Sequence, residues 1–155
     1  MTLALVVLRF INLLSAALIA GGQVFVLMVI LPVMRRWSPA MAVQTHQAML
    51  FQTPDKFIVP SAVVCPLSAI AILALRHKAD VSGLFDVVGV LAAAAVTLTS
   101  VVLAEPLSRT IAGWTEGVVP GGFAELQQRY DSVHAVRTAA ALLMTAAFIV
   151  ATLTV

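Results

Sequence analysis

Four stretches of this chain are almost continuously apolar, at about residues 3–33, 56–75, 85–108 and 131–155. Each reaches the ~20 residues that carry a helix across the hydrocarbon of a bilayer. The polar positions within them are periodic. Arg9, Asn12, Ala16, Ala20 and Gln23 fall on one stripe of a helix, within about 80° of each other. That stripe is expected to face other helices and not lipid. Asp86, Thr97, Ser100 and Ser108 share one side of the third stretch. In the fourth, Asp131, His134 and Arg137 follow at i, i+3 and i+6. At about 100° per residue they line one side, at about 0°, −60° and −120°. The pattern predicts an all-α, single-domain fold over residues 1–155. Its architecture is an integral membrane four-helix bundle, up-down-up-down, with both termini on one side.

Punctuation between the stretches sharpens their ends. Pro32 precedes Arg35, Arg36 and Trp37, two cations and an indole suited to a membrane interface. Gly21 and Gly22 permit a close helix approach or a kink in the first stretch. Ser38 and Pro39 read as the N-cap and first position of a short amphipathic helix to about Phe51, which carries His46. Thr53-Pro54-Asp55 ends it. Pro60 and Pro66 interrupt the second stretch and free backbone carbonyls there. The centre of the third, Leu91 to Val96, is nearly all alanine, as close packing in lipid requires. The last connection, residues 110–129, holds Trp114, the turn Pro120-Gly121-Gly122 and a short helical piece from Phe123 to Arg129.

Composition agrees with the pattern. The chain has 155 residues, 61% of them hydrophobic and 10% charged, with a mean hydropathy of +1.05. A soluble domain carries about 25% charged residues. The net charge of +2 is scattered and excludes a nucleic-acid interface. A lone Cys65 excludes an intrachain disulfide and a thiolate metal cluster. The apolar start runs past Arg9 into Leu31-Pro32-Val33, without a small-residue cleavage site. It is expected to remain as the first span, with no cleaved signal peptide. The location expected is a bacterial inner membrane.

Topology decides which polar groups meet. One mouth of the bundle gathers Lys56, Glu105, Arg109, Asp131, His134 and Arg137, with His46 on the connection above and Gln23 pointing toward it. The other gathers Arg9, Arg76, Lys78 and Asp86, where Arg9 and Asp86 are expected to pair. Glu105 with Arg137 is a second expected pair. The expected chemistry rests on His134 as a base oriented by Asp131, with Arg137 stabilising a developing anion. Gln23, Lys56, Glu105, Ser108 and Arg109 are the expected substrate contacts. No His-Glu-x-x-His, Cys-x-x-Cys or Gly-x-Ser-x-Gly motif is present. The mouth side carries Arg35, Arg36, Lys56, Arg109 and Arg129 against Arg9, Arg76 and Lys78 opposite, which favours a cytoplasmic mouth.

Glu105-Pro106-Leu107-Ser108-Arg109-Thr110-Ile111, followed by Arg129-Tyr130-Asp131-Ser132-Val133-His134-Ala135-Val136-Arg137-Thr138, resembles the anthrone oxygenase-like family of four-span membrane proteins. The resemblance extends along the whole chain and is specific in the fourth stretch. It implies roles for Pro106, Asp131, His134, Arg137 and Thr138. Ser108 stands where the family often has Asn. Family members in fungi oxidise anthrones to anthraquinones with dioxygen. An oxygenase for a hydrophobic aromatic or quinol-like substrate is therefore one expectation, with no cofactor required. The alternatives are a haem or metal site with His134 and His46 as ligands, and a small structural subunit of a membrane complex. The partners expected are the bilayer, a hydrophobic small molecule and a second copy of the chain.

Overall fold

The structure is a computed structural model that describes residues 2–52, 58–76, 80–114, 119 and 121–155. The described residues are helical, without strands. Five helices follow in order: α1 (Leu3–Met34), α2 (Pro39–Gln52), α3 (Ile58–Leu75), α4 (Val81–Ala112) and α5 (Phe123–Leu153). Three of them, α1, α4 and α5, are long and apolar enough to cross a membrane. The apolar helix α3 is shorter, at 18 residues. It carries Pro66 without interruption.

Local chemistry explains the ends. Asp80 caps α4 by accepting from the Gly83 amide at 2.9 Å, so α4 begins four residues earlier than the hydropathy pattern predicts. Ser38 Oγ accepts from the Met41 amide at 3.4 Å at the start of α2. Gly122 adopts φ +92°, a left-handed conformation that favours glycine, and lets the chain turn directly into α5. The expected short piece at 123–129 and the fourth span are one helix of 31 residues. Asp131 and His134 therefore sit in its third turn or so, not at its first.

Two π-helical segments interrupt the α geometry, Val26–Ile30 in α1 and Thr99–Ala104 in α4. Each ends two residues before a proline, Pro32 or Pro106. A proline ring inside a helix clashes with the carbonyl four residues back. Those carbonyls belong to Met28 and Val102, inside the two wide turns. The extra residue per turn accommodates the ring without a break. Both π segments pack against α5.

The long helices contact one another in a closed ring, α1 to α3, α3 to α4, α4 to α5, α5 to α1. The contacts between α1 and α5 run in opposite directions. Arg9 reaches Thr152, Thr145 reaches the Ala16 carbonyl, and His134 reaches the Gln23 carbonyl. The core between them is built from small side chains, Ala16, Ala20, Cys65, Ala69, Ala92, Ala93 and Ala141, filled out by Met144 and Phe148. The closest approach falls at Gly89, where a Cβ would overlap the ring of Phe148. At Gly21 and Gly22 no neighbour lies within 4 Å, and the helix runs through both. The large apolar side chains point outward instead: Leu91 is 65% and Leu67 60% exposed.

Candidate functional site

The two ends of the ring differ in how their charges are met. At one end Arg9 and Asp86 are both buried and bonded twice, at 3.0 and 3.2 Å. Ser82 and Thr152 take further guanidinium protons, at 3.1 and 3.5 Å. Arg76 approaches Asp86 at 3.4 Å and also bonds Ser82 and Asp80. The expected Arg9–Asp86 pair is present, and it sits in a knot shared by α1, α4 and α5 with Arg76 at the end of α3. This end is saturated and structural. Nearby, Asn12 donates to the Cys65 carbonyl at 2.9 Å and holds α1 against α3.

At the other end a second arginine meets no carboxylate among the described residues. Arg137 donates from Nε to Gln23 Oε1 at 3.0 Å and from a terminal nitrogen to His134 Nδ1 at 3.3 Å. A guanidinium only donates, so His134 Nδ1 is an acceptor and the imidazole is neutral with its proton on Nε2. That N–H donates to the Gln23 carbonyl at 3.1 Å. Thr138 Oγ donates to the His134 carbonyl at 2.8 Å and lies 3.5 Å from the same Gln23 carbonyl. Gln23 stands just before the π segment of α1, where the helical hydrogen-bond register changes. One glutamine thus organises the cluster through both its side chain and its backbone. The structure brings Gln23, His134, Arg137 and Thr138 together.

Several expected partners lie elsewhere. Asp131 does not orient His134. Its Oδ2 accepts from Arg35 at 2.8 and 2.6 Å. Spacing alone allowed an acid and an imidazole one turn apart to meet, but the cation just past the end of α1 takes the carboxylate instead. Glu105 does not meet Arg137. It pairs with Arg109 at 2.9 Å, one turn along α4, and both are exposed. A flexible i,i+4 pair at the surface wins over an interhelical one that would have to desolvate a carboxylate. Ser108 is buried on α4 but is not bonded to the cluster among the described residues. Lys56 lies outside the described residues.

Above the cluster, α2 covers the mouth. Gln47 on α2 donates to the carbonyls of Ile111 and Trp114, at 3.0 and 3.2 Å, and so satisfies acceptors left open where α4 ends. The neighbouring His46 packs edge-on to Tyr130, with ring centroids 4.5 Å apart and planes at 77°. Tyr130 stacks in turn on His134, at 6.3 Å and 22°. Burial without a compensating charge pushes His46 down to about 4, so it is neutral at pH 7. Two buried polar atoms remain without partners among the described residues, His46 Nε2 and Asp131 Oδ1. Both residues line one small cavity, about 10 Å³, with Leu31, Met34, Ile111 and Phe123 as apolar walls. A larger groove of about 270 Å³ lies between the second π segment and α5, where Pro106, Leu107, Leu126, Arg129 and Val133 line it.

Sequence reasoning passed over Arg35 and Tyr130. Arg35 reads as an interfacial cation, and only the ring closure shows that it faces Asp131. Tyr130 is the one tyrosine of the chain, adjacent to Asp131 and one turn before His134. That spacing was the available signal. Haem does not fit these residues. Both ring nitrogens of His134 are engaged, and the cavity at His46 has room for a single water-sized group. Among the described residues, no three His, Cys, Asp or Glu gather closely enough to hold a metal ion. Comparisons with family models, curated proteins and solved structures find no match for the chain.

Proposed function

We propose that this chain is an integral membrane four-helix bundle, up-down-up-down, that binds an acidic, largely apolar small molecule at the Arg137 mouth. α1, α3, α4 and α5 are its four spans. The observation that carries the reading is the uncompensated guanidinium. Arg9 in the same bundle meets Asp86, whereas among the described residues Arg137 bonds only the neutral groups of Gln23 and His134. A cation in a membrane helix is costly unless something anionic meets it, and default to function is the sound reading of such a residue. The oxygenase expectation supplies a chemistry that suits it. A phenol or an anthrone has a proton that an adjacent base removes, and the resulting phenolate or enolate is the anion that Arg137 would stabilise. Arrival of the acidic group would draw the guanidinium toward it. His134 Nδ1 would then be free to accept the proton. The electron-rich anion reacts with dioxygen, giving an anthraquinone and water from an anthrone.

The test uses the full chain in lipid nanodiscs with anthrone as the probe. Dioxygen uptake and anthraquinone formation are followed together, and binding is measured without oxygen. Wild type should bind and turn over. His134→Gln should bind yet lose roughly 10²–10⁴ in rate, the usual contribution of a positioned base. Arg137→Gln should lose binding as well. Binding and turnover that survive Arg137→Gln unchanged would sink the reading.

A further inference from the structure

We propose that His46 and Asp131 form a one-water site at the base of the α2 cover, in which a single ordered water links the imidazole to the carboxylate. The argument begins with two orphaned atoms. His46 is 8% and Asp131 7% exposed. His46 Nε2 and Asp131 Oδ1 are out of contact with solvent and have no hydrogen-bond partner among the described residues. An unmet buried carboxylate oxygen costs a full desolvation penalty. Native structures rarely carry one such atom without reason, and here two belong to residues that line one cavity.

The size of that cavity names the occupant. Its volume of about 10 Å³ is that of roughly one water-sized sphere, at the lower limit that holds a water molecule. It is too small for an organic group or a hydrated ion. Its polarity fits as well. Asp131 Oδ1 only accepts, so the occupant must donate to it. The imidazole takes the second water proton on its lone pair, or donates into the water oxygen in its other tautomer. Gln127 also lines the space and offers a third partner. An apolar occupant would leave both atoms unpaired, and Leu31, Met34, Ile111 and Phe123 offer no competing polar side chain.

The charges around His46 favour this assignment. From α5 it faces Tyr130 and Asp131, and from α1 it faces Arg35 through Asp131. The carboxylate is already neutralised by Arg35, so it does not draw a proton onto His46 directly. The water is then held between a neutral base and a compensated acid. That site lies between the α2 cover and the Arg35–Asp131 pair. It is separate from the Gln23–His134–Arg137 cluster and does not depend on the oxygenase reading.

The test is proton-detected NMR of histidine-labelled full-length protein in lipid nanodiscs. The chain has three histidines, so the spectrum is simple. The expected result is a contact between His46 Nε2 and a long-lived water proton, absent for His134, whose ring nitrogens are engaged by protein. Asp131→Leu should abolish that contact while the His134 signal persists as a check on folding. Should that variant fail to fold, the wild-type contact alone decides. A wild-type Nε2 with no bound water, or a water contact that persists unchanged in Asp131→Leu, overturns the proposal.

Discussion

Arg9 and Arg137 both sit in apolar helices, and one carboxylate separates their fates. Removing Arg9 strands Asp86, which is wholly buried. Breaking a buried pair in that way costs about 3–5 kcal/mol. Removing Arg137 strands no charge and leaves Gln23 Oε1 and His134 Nδ1 short of a donor, at about 1–3 kcal/mol. Arg9→Ala should therefore lower the unfolding midpoint in detergent far more than Arg137→Ala. A larger loss for Arg137→Ala would mean that the structural and functional ends have been exchanged. His46 makes a second residue-scale prediction. Its folded value of about 4 lies below the ordinary 6.5, so the undocked state binds more protons between those limits. Stability then falls as pH drops from 6.5 toward 4, by up to about 1.4 kcal/mol per pH unit. Protease cleavage of α2 should rise steeply across that window, and His46→Phe should flatten the dependence.

At the level of elements, the alanine-rich centre of α4 was legible as a close-packing surface, and so were three long apolar helices. The contact residue itself was not. A Gly-Gly pair in α1 is the louder signal, yet a Cβ on either residue would meet nothing within 4 Å, while one on Gly89 would overlap the ring of Phe148. Which glycine is used depends on the rotation of both helices, and single-sequence periodicity fixes that only loosely. Gly89→Ala should destabilise by about 1–3 kcal/mol through overpacking. Gly21→Ala should be neutral or stabilise by about 0.5–1 kcal/mol, from propensity alone. Thermal melts of the two variants side by side check this. The π segments were also illegible. The prolines were visible at 32 and 106, but a proline can kink, break or widen a helix, and neighbours choose among these. Likewise the residues of the mouth were legible from their spacing, whereas their pairing was not. The sequence pointed Asp131 toward His134, and only the arrangement of α1 against α5 gave it to Arg35.

For the whole molecule, the proposed bundle places Trp37 and Val81 at opposite mouths. Single cysteines introduced at these exposed positions should react with an impermeant reagent from opposite sides of a sealed vesicle. The native Cys65 is fully buried and should stay silent. Labelling of both from one side would remove the up-down arrangement. The knot around Arg9 and Asp86 has a mechanical consequence. It joins α1, α4 and α5 with Arg76, just past the end of α3, at a single level, so those helices cannot part there without exposing two charges. At the opposite level the joints are softer: neutral contacts through Gln23, one partly exposed pair at Arg35, and a cover held by Gln47. The molecule is built like a clothes-peg, sprung at one end. Entry from the lipid or the water would spread the jaws while the pivot stays shut, so amide exchange should quicken toward residues 23 and 134 and remain slow around residues 9 and 86.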